Sequence, residues 1–170
     1  TFRRVFGGYG GEPGRLIEPV GIAVGPDGLI AVADSGNGRI ARFTPAGEPV
    51  ETWPVPAWPQ PDPSGGRPAF QPYLAYGPDG FLYASASANG SVEKIDAEGA
   101  TVESIRGTGA DRLSQPIGLA FAPDGELLIT DLGLDAVVRY RPPAPPPFLA
   151  PPPLVPDASP AASPAGDGAA

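Results

Sequence analysis

Leu29-Ile30-Ala31-Val32-Ala33-Asp34-Ser35-Gly36-Asn37-Gly38-Arg39-Ile40-Ala41-Arg42-Phe43-Thr44 is the first of three copies of one pattern in this chain. It returns as Phe81 to Asp96 and as Glu126 to Arg141, each copy sixteen residues without a gap. Working outward, each copy follows a Pro-Asp-Gly turn ending at Gly28, Gly80 or Gly125. Pro suits the first central position of a tight turn, and Gly supplies the positive φ that a bulged hairpin needs. Ahead of each turn lies a short apolar run: Gly21 to Val24, Tyr73 to Tyr76 and Gly118 to Phe121. A fixed period of this size marks a stacked or ring-shaped repeat array.

Within the unit, Leu29 to Ala33 is apolar on both sides of the alternation, which predicts a strand buried on both faces. Asp34 to Gly38 is a loop by composition. Arg39 to Phe43 predicts a third strand, Thr44-Pro45-Ala46-Gly47 a turn, and Val50 to Trp53 a fourth strand. The second copy gives Phe81 to Ser85, Ser91 to Ile95 and Thr101 to Ile105; the third gives Glu126 to Thr130 and Ala136 to Tyr140, then meets Pro142-Pro143. Gly or Pro interrupts every ten residues or so, and no window keeps a helical apolar stripe. The reading is all-β: a β-propeller segment of about three four-stranded antiparallel blades, the last lacking its outer strand. A sandwich is the competing all-β architecture, but sandwiches need no internal period.

These residues resemble the NHL repeat family of propellers. Pro19-Val20-Gly21-Ile22-Ala23-Val24 and Pro116-Ile117-Gly118-Leu119-Ala120-Phe121 look like its opening strand, and Ala33 to Ile40 is similar to the stretch that names the family, with Gly38 where a histidine is common. Phe6 to Gly11 looks like the lead-in between blades. The second copy departs at Ala86, where the first has Asp34, and the third has Leu134 in place of the asparagine. The resemblance spans residues 1–141 and implies fold more than activity, because the family includes protein-binding and RNA-binding modules, sensor domains and a few enzymes.

Arg3 to Phe6 resembles the outer strand of a preceding blade. Propellers close with about four to eight blades, so three need company. Either missing blades lie upstream, the favoured reading for a chain without methionine, or a second copy completes a six-bladed ring by exchanging the leftover strand.

From Pro142 the composition changes: eleven of the last twenty-nine residues are proline and eight are alanine. Residues 142–170 therefore read as a disordered Pro/Ala-rich tail or spacer beside the 1–141 segment. Two phrases in it, Pro145 to Leu149 and Pro151 to Val155, leave open a docking role. The formal charge of −8 opposes nucleic-acid binding, and no apolar run is long enough to span a bilayer. Heavy Ala, Pro and Arg use with a single lysine points to a bacterial gene, and the family's bacterial members imply an extracytoplasmic location.

The chain has no cysteine and no histidine, so these residues hold no disulfide, no imidazole-bound zinc and no Ser-His-Asp arrangement. The zinc- and histidine-dependent lyase activity of one branch of the family is thus not implied here. Carboxylates remain. Asp34 and Asp131 occupy equivalent positions after the second strands, and with Asn37 and Asn89 could ring an opening and offer oxygens to calcium; alternatively each Asp caps its own turn. The turn aspartates Asp27, Asp79 and Asp124 fall on the opposite face as structural groups. The link from Trp53 to Tyr73 exceeds its counterpart and carries Trp58, Arg67 and Tyr73 among prolines. Such insertions emerge on one face, often the binding face, although Trp58 could equally pack over the blade. The resulting expectation is a non-catalytic module that binds a protein, glycan or small ligand on the insertion-bearing face. The alternative is a propeller hydrolase or lyase using carboxylates and a divalent metal, with key residues in missing blades.

Overall fold

The computed structural model describes residues 4–60 and 71–143. Three antiparallel sheets follow one another along the chain. The first holds β1 (Pro19–Val24), β2 (Ile30–Asp34), β3 (Arg39–Phe43) and β4 (Pro49–Pro54) in that spatial order. The second holds β5 (Leu74–Tyr76), β6 (Leu82–Ala86), β7 (Ser91–Ile95) and β8 (Thr101–Ile105), and the third β9 (Pro116–Phe121), β10 (Leu127–Asp131) and β11 (Ala136–Tyr140). No helix among the described residues is long and apolar enough to cross a membrane.

The sheets are copies in register, not merely in sequence. Ile40 faces Trp53 and Val92 faces Ile105 across the third and fourth strands. A bulge falls at the same step in both, Arg42/Phe43 and Lys94/Ile95. Each is a β-meander whose first strand lies innermost: β1 adjoins β5, and β5 adjoins β9. The sheets therefore stand as radial sectors, or blades, rather than as two faces of a sandwich. Gly21 makes the tight inner contact possible, since a Cβ there would come within 2.6 Å of the Pro72 carbonyl oxygen.

Alternation assigns the faces. Ala31, Ala33, Ile40 and Trp53 of blade 1 pack on Leu74, Leu82, Ala84 and Ala86 of blade 2. Tyr83, Val92 and Ile105 of blade 2 pack on Leu127 and Ile129 of blade 3. Both faces of blade 2 are thus buried, as the continuous apolar strands predict.

Two sequence expectations change. Strand boundaries shift by a residue or two, with β5 starting at Leu74 instead of Tyr73. Of the outer strand expected from Arg3 to Phe6, the described residues 4–6 form no strand, and no sheet among the described residues pairs with them. Phe6 nevertheless keeps the outer-strand position. Its ring lies 5.2 Å from that of Phe43, and a Cβ on Gly47 would collide with it, as one on Gly99 would collide with Trp53. Arg67 and the tail from residue 144 lie outside the described residues.

Candidate functional site

One face of the arc gathers the loops that follow second strands and the loops that enter first strands. Short 3₁₀ turns, Ser35–Asn37 and Ser87–Asn89, shape the first kind. Asp34 is fully buried. One carboxylate oxygen accepts the Ile17 amide at 2.7 Å; the other accepts Asn37 Nδ2 at 2.8 Å and Arg39 Nε at 2.7 Å. Asp131 accepts backbone amides from Ser114 (2.8 Å), Gln115 (2.9 Å), Gly133 (3.0 Å) and Leu134 (3.2 Å). Each carboxylate therefore ties the chain entering its blade to the loop leaving the second strand. Blade 2 has Ala86 at this position, and Ser85 does related work: its Oγ accepts the Tyr73 amide at 2.8 Å.

The asparagines act in parallel. Asn37 Nδ2 donates to the Gly10 carbonyl at 3.1 Å, and Asn89 Nδ2 to the Ala57 carbonyl at 3.0 Å. Asp34, Asp131, Asn37 and Asn89 share a face, but their polar atoms turn into their own loops. Among the described residues, no three acidic, histidine or cysteine groups converge as a metal site would require.

Trp58 is placed as a packing residue rather than an exposed anchor. It is buried within the cluster that joins blades 1 and 2, and its Nε1 donates to the Ser85 carbonyl at 2.9 Å. Burial follows from chemistry: the indole covers a large apolar area and needs one acceptor, which blade 2 supplies. Tyr73 remains part-exposed beside the inner strands.

What sequence reasoning missed is a cleft of about 490 Å³ on this face. Pro59 and Gln71, both from the insertion, meet Ser87 of blade 2 and Gln115, Ile117 and Leu132 of blade 3 there. Its described lining holds two carboxamides, a hydroxyl and apolar walls, with no acid or base. Asp131 fixes one wall through the Gln115 amide. A signal existed: a Gln-Pro pair lies at the entry to the first strand in both blades, Gln71-Pro72 just before β5 and Gln115-Pro116 at the start of β9.

The opposite face is ionic and structural. Asp79 pairs with Lys94 at 2.8 Å, Asp27 pairs with Arg42, and Asp124 lies 3.9 Å from Arg139. The same turn-to-third-strand spacing recurs in each blade. Burial pushes the Asp27 carboxyl up, but the Leu29 amide and Arg42 outweigh it and leave the group below its ordinary value. Arg139 and then Arg141 hold the Glu126 carboxyl down by hydrogen bonding.

Comparison with known proteins accords with this geometry. Residues 16–43 match the NHL repeat family. No curated protein matches the chain. Among solved structures, the chain resembles virginiamycin B lyase from Staphylococcus aureus at 21% identity and a TM-score of 0.52, covering 75% of this chain and 42% of that one. It resembles a streptogramin B lyase at 22% identity and 0.53, covering 75% and 41%. A gluconolactonase from Xanthomonas campestris aligns at 18% identity and 0.52, covering 66% and 34%. The chain spans less than half the length of these structures. At such identities the likeness is one of fold. The sheets, their radial packing and the matched repeat agree: this chain folds as an arc of β-propeller blades, and blade 1 carries the matched NHL repeat.

Proposed function

We propose that the chain is a non-catalytic propeller module, part of a larger ring, that binds a neutral protein segment, glycan or small molecule in the cleft beside the insertion. The supporting observation is the lining itself. Gln71, Gln115 and Ser87 offer paired donors and acceptors beside the apolar walls of Pro59, Ile117 and Leu132, a combination suited to recognition and without a proton-transfer group. The charge of −8 favours partners other than nucleic acid.

Ring completion rests on blade 1. Ile22 and Val24 are 63% and 64% exposed, whereas Leu74, at the place of Ile22 in blade 2, is 6% exposed against its neighbour. A preceding blade, upstream in a longer chain or from a second copy, would cover them.

The hydrolase or lyase alternative draws on the names of the neighbours. One of those structures is a catalytically inactive histidine-to-alanine variant of virginiamycin B lyase; the present chain has no histidine to play that part. The discriminating experiment is calorimetric titration of the chain with a panel of neutral oligosaccharides and capped peptides, alongside calcium and zinc. Saturable binding of a neutral probe that is lost in Gln71→Ala/Gln115→Ala supports the binding module. Stoichiometric metal binding with turnover, or indifference of every probe to the double variant, rejects it.

A further inference from the structure

The outer edge of β11 is unlike those of the other third strands. β3 and β7 are each paired on their outer side, by β4 and β8; among the described residues nothing pairs with the outer edge of β11. Equivalent side chains reflect both this open edge and the uncovered face beyond blade 3: Ile40 and Val92, at 0%, are covered by a fourth strand and by the next blade, whereas Val137 is 61% exposed. The Arg139 side chain is 64% exposed, against 5% for Arg42 and 10% for Lys94. Beside the edge runs a groove of about 770 Å³ whose floor includes Ile105, Leu113, Val138 and Tyr140.

The two complete blades show what such an edge receives. Their outer strands read Val50-Glu51-Thr52-Trp53 and Val102-Glu103-Ser104-Ile105. In register, the glutamate faces the third-strand cation, Arg42 with Glu51 and Lys94 with Glu103, and the large apolar residue faces Ile40 or Val92. Arg42 is ion-paired with two acids, Asp27 and Glu51. In blade 3 two cations, Arg139 and Arg141, share Asp124 and Glu126, so the cluster accommodates a third acid.

We infer that the free edge of β11 is a strand acceptor for an extended segment of another protein with the order acid, hydroxyl, large apolar, its acid set against Arg139 and its apolar residue against Val137. Main-chain hydrogen bonds would supply affinity and the alternating side chains specificity. Segments of this chain fit less well. The proline-rich run from Pro142 lacks the amide donors a ladder needs. The amino-terminal stretch places Arg4, two residues before Phe6, where the complete blades carry glutamate, so a second copy would set Arg4 against Arg139.

The test uses the full chain and a fluorescent peptide with the sequence of residues 100–106. The expected result is saturable one-to-one binding, weakened at least about fivefold by Glu103→Arg in the peptide or by Arg139→Glu in the chain, as opposed like charges require, and regained when the two changes are combined. Because the peptide change is read against the unaltered chain, the outcome does not depend on how the variant folds. Absence of saturable binding, or binding indifferent to both changes, overturns the inference. So would tighter binding by a peptide of residues 1–6, since a second copy would then be the donor.

Discussion

The two blade junctions solve one geometric problem with different chemistry. Between blades 1 and 2, small residues (Ala31, Ala33, Ala84 and Ala86) make room for two indoles, Trp53 and Trp58. Between blades 2 and 3, aliphatic Leu127 and Ile129 fill the space, and Tyr83 meets Phe121 edge-on with centroids 5.0 Å apart. The strand register is shared; the side chains are not. The first junction draws Trp58 from the insertion, outside the repeat, whereas the second draws the smaller Leu113 from a shorter link. An insertion that departs from the period has therefore become part of the core at its near end.

The largest effect should come from breaking that asymmetry. Trp58→Ala removes a buried ring and the donor to the Ser85 carbonyl, and should cost about 3–5 kcal/mol. Leu113→Ala at the second junction should cost about 2–3 kcal/mol. Urea denaturation of both variants measures the difference. Equal losses would mean that Trp58 adds no more than a shorter link does.

That contrast also explains what could be read in advance. The sheets were legible because turn glycines at a constant offset fix strand pairing, and alternation then fixes which face is buried. The fate of Trp58 was not, because a proline-rich link carries no period from which to infer a face. The cleft was legible only in part. Gln71 and Gln115 belong to separate repeats, and nothing local says that their loops meet; only the radial stacking does. The ion pairs across the other face were readable in principle, since Asp27–Arg42, Asp79–Lys94 and Asp124–Arg139 keep one spacing, but a charge repeat looks like an ordinary solvated surface until the turn is folded.

A smaller effect separates the two buried aspartates. Asp34 balances Arg39 and accepts one backbone amide, while Asp131 accepts four backbone amides and pairs with no cation among the described residues. Replacement by alanine strands these donors and should cost about 1–3 kcal/mol at either place. Replacement by asparagine sharpens the comparison. An amide oxygen at position 131 can still accept most of those bonds, so Asp131→Asn should be the milder change. Asp34→Asn leaves the Arg39 guanidinium without its counter-charge and should be the more damaging. Thermal unfolding of the two variants gives the order, and the reverse order would mean that backbone anchoring outweighs the ion pair.

The smallest effect is a pH response concentrated at the second junction. Burial, and next the charge of Glu103, push the Tyr140 hydroxyl up to about 12, where it donates to Glu103 Oε1 at 3.1 Å. Burial and Asp79 push Tyr83 further in the same direction. A group whose pKa rises on folding contributes stability that is complete below its unfolded value and is lost as pH climbs toward the folded one. For Tyr140 that window runs from about 10 to about 12. Tyr76, near the first junction, is also raised, chiefly by burial, but has no carboxylate hydrogen bond of this kind among its causes. Tyr140→Phe should therefore flatten part of the decline in urea midpoint between pH 9.5 and 11.5, whereas Tyr76→Phe should change it less. If the two substitutions act alike, ionisation loosens both junctions equally, and the phenol-to-carboxylate bond across blades 2 and 3 is not what distinguishes them.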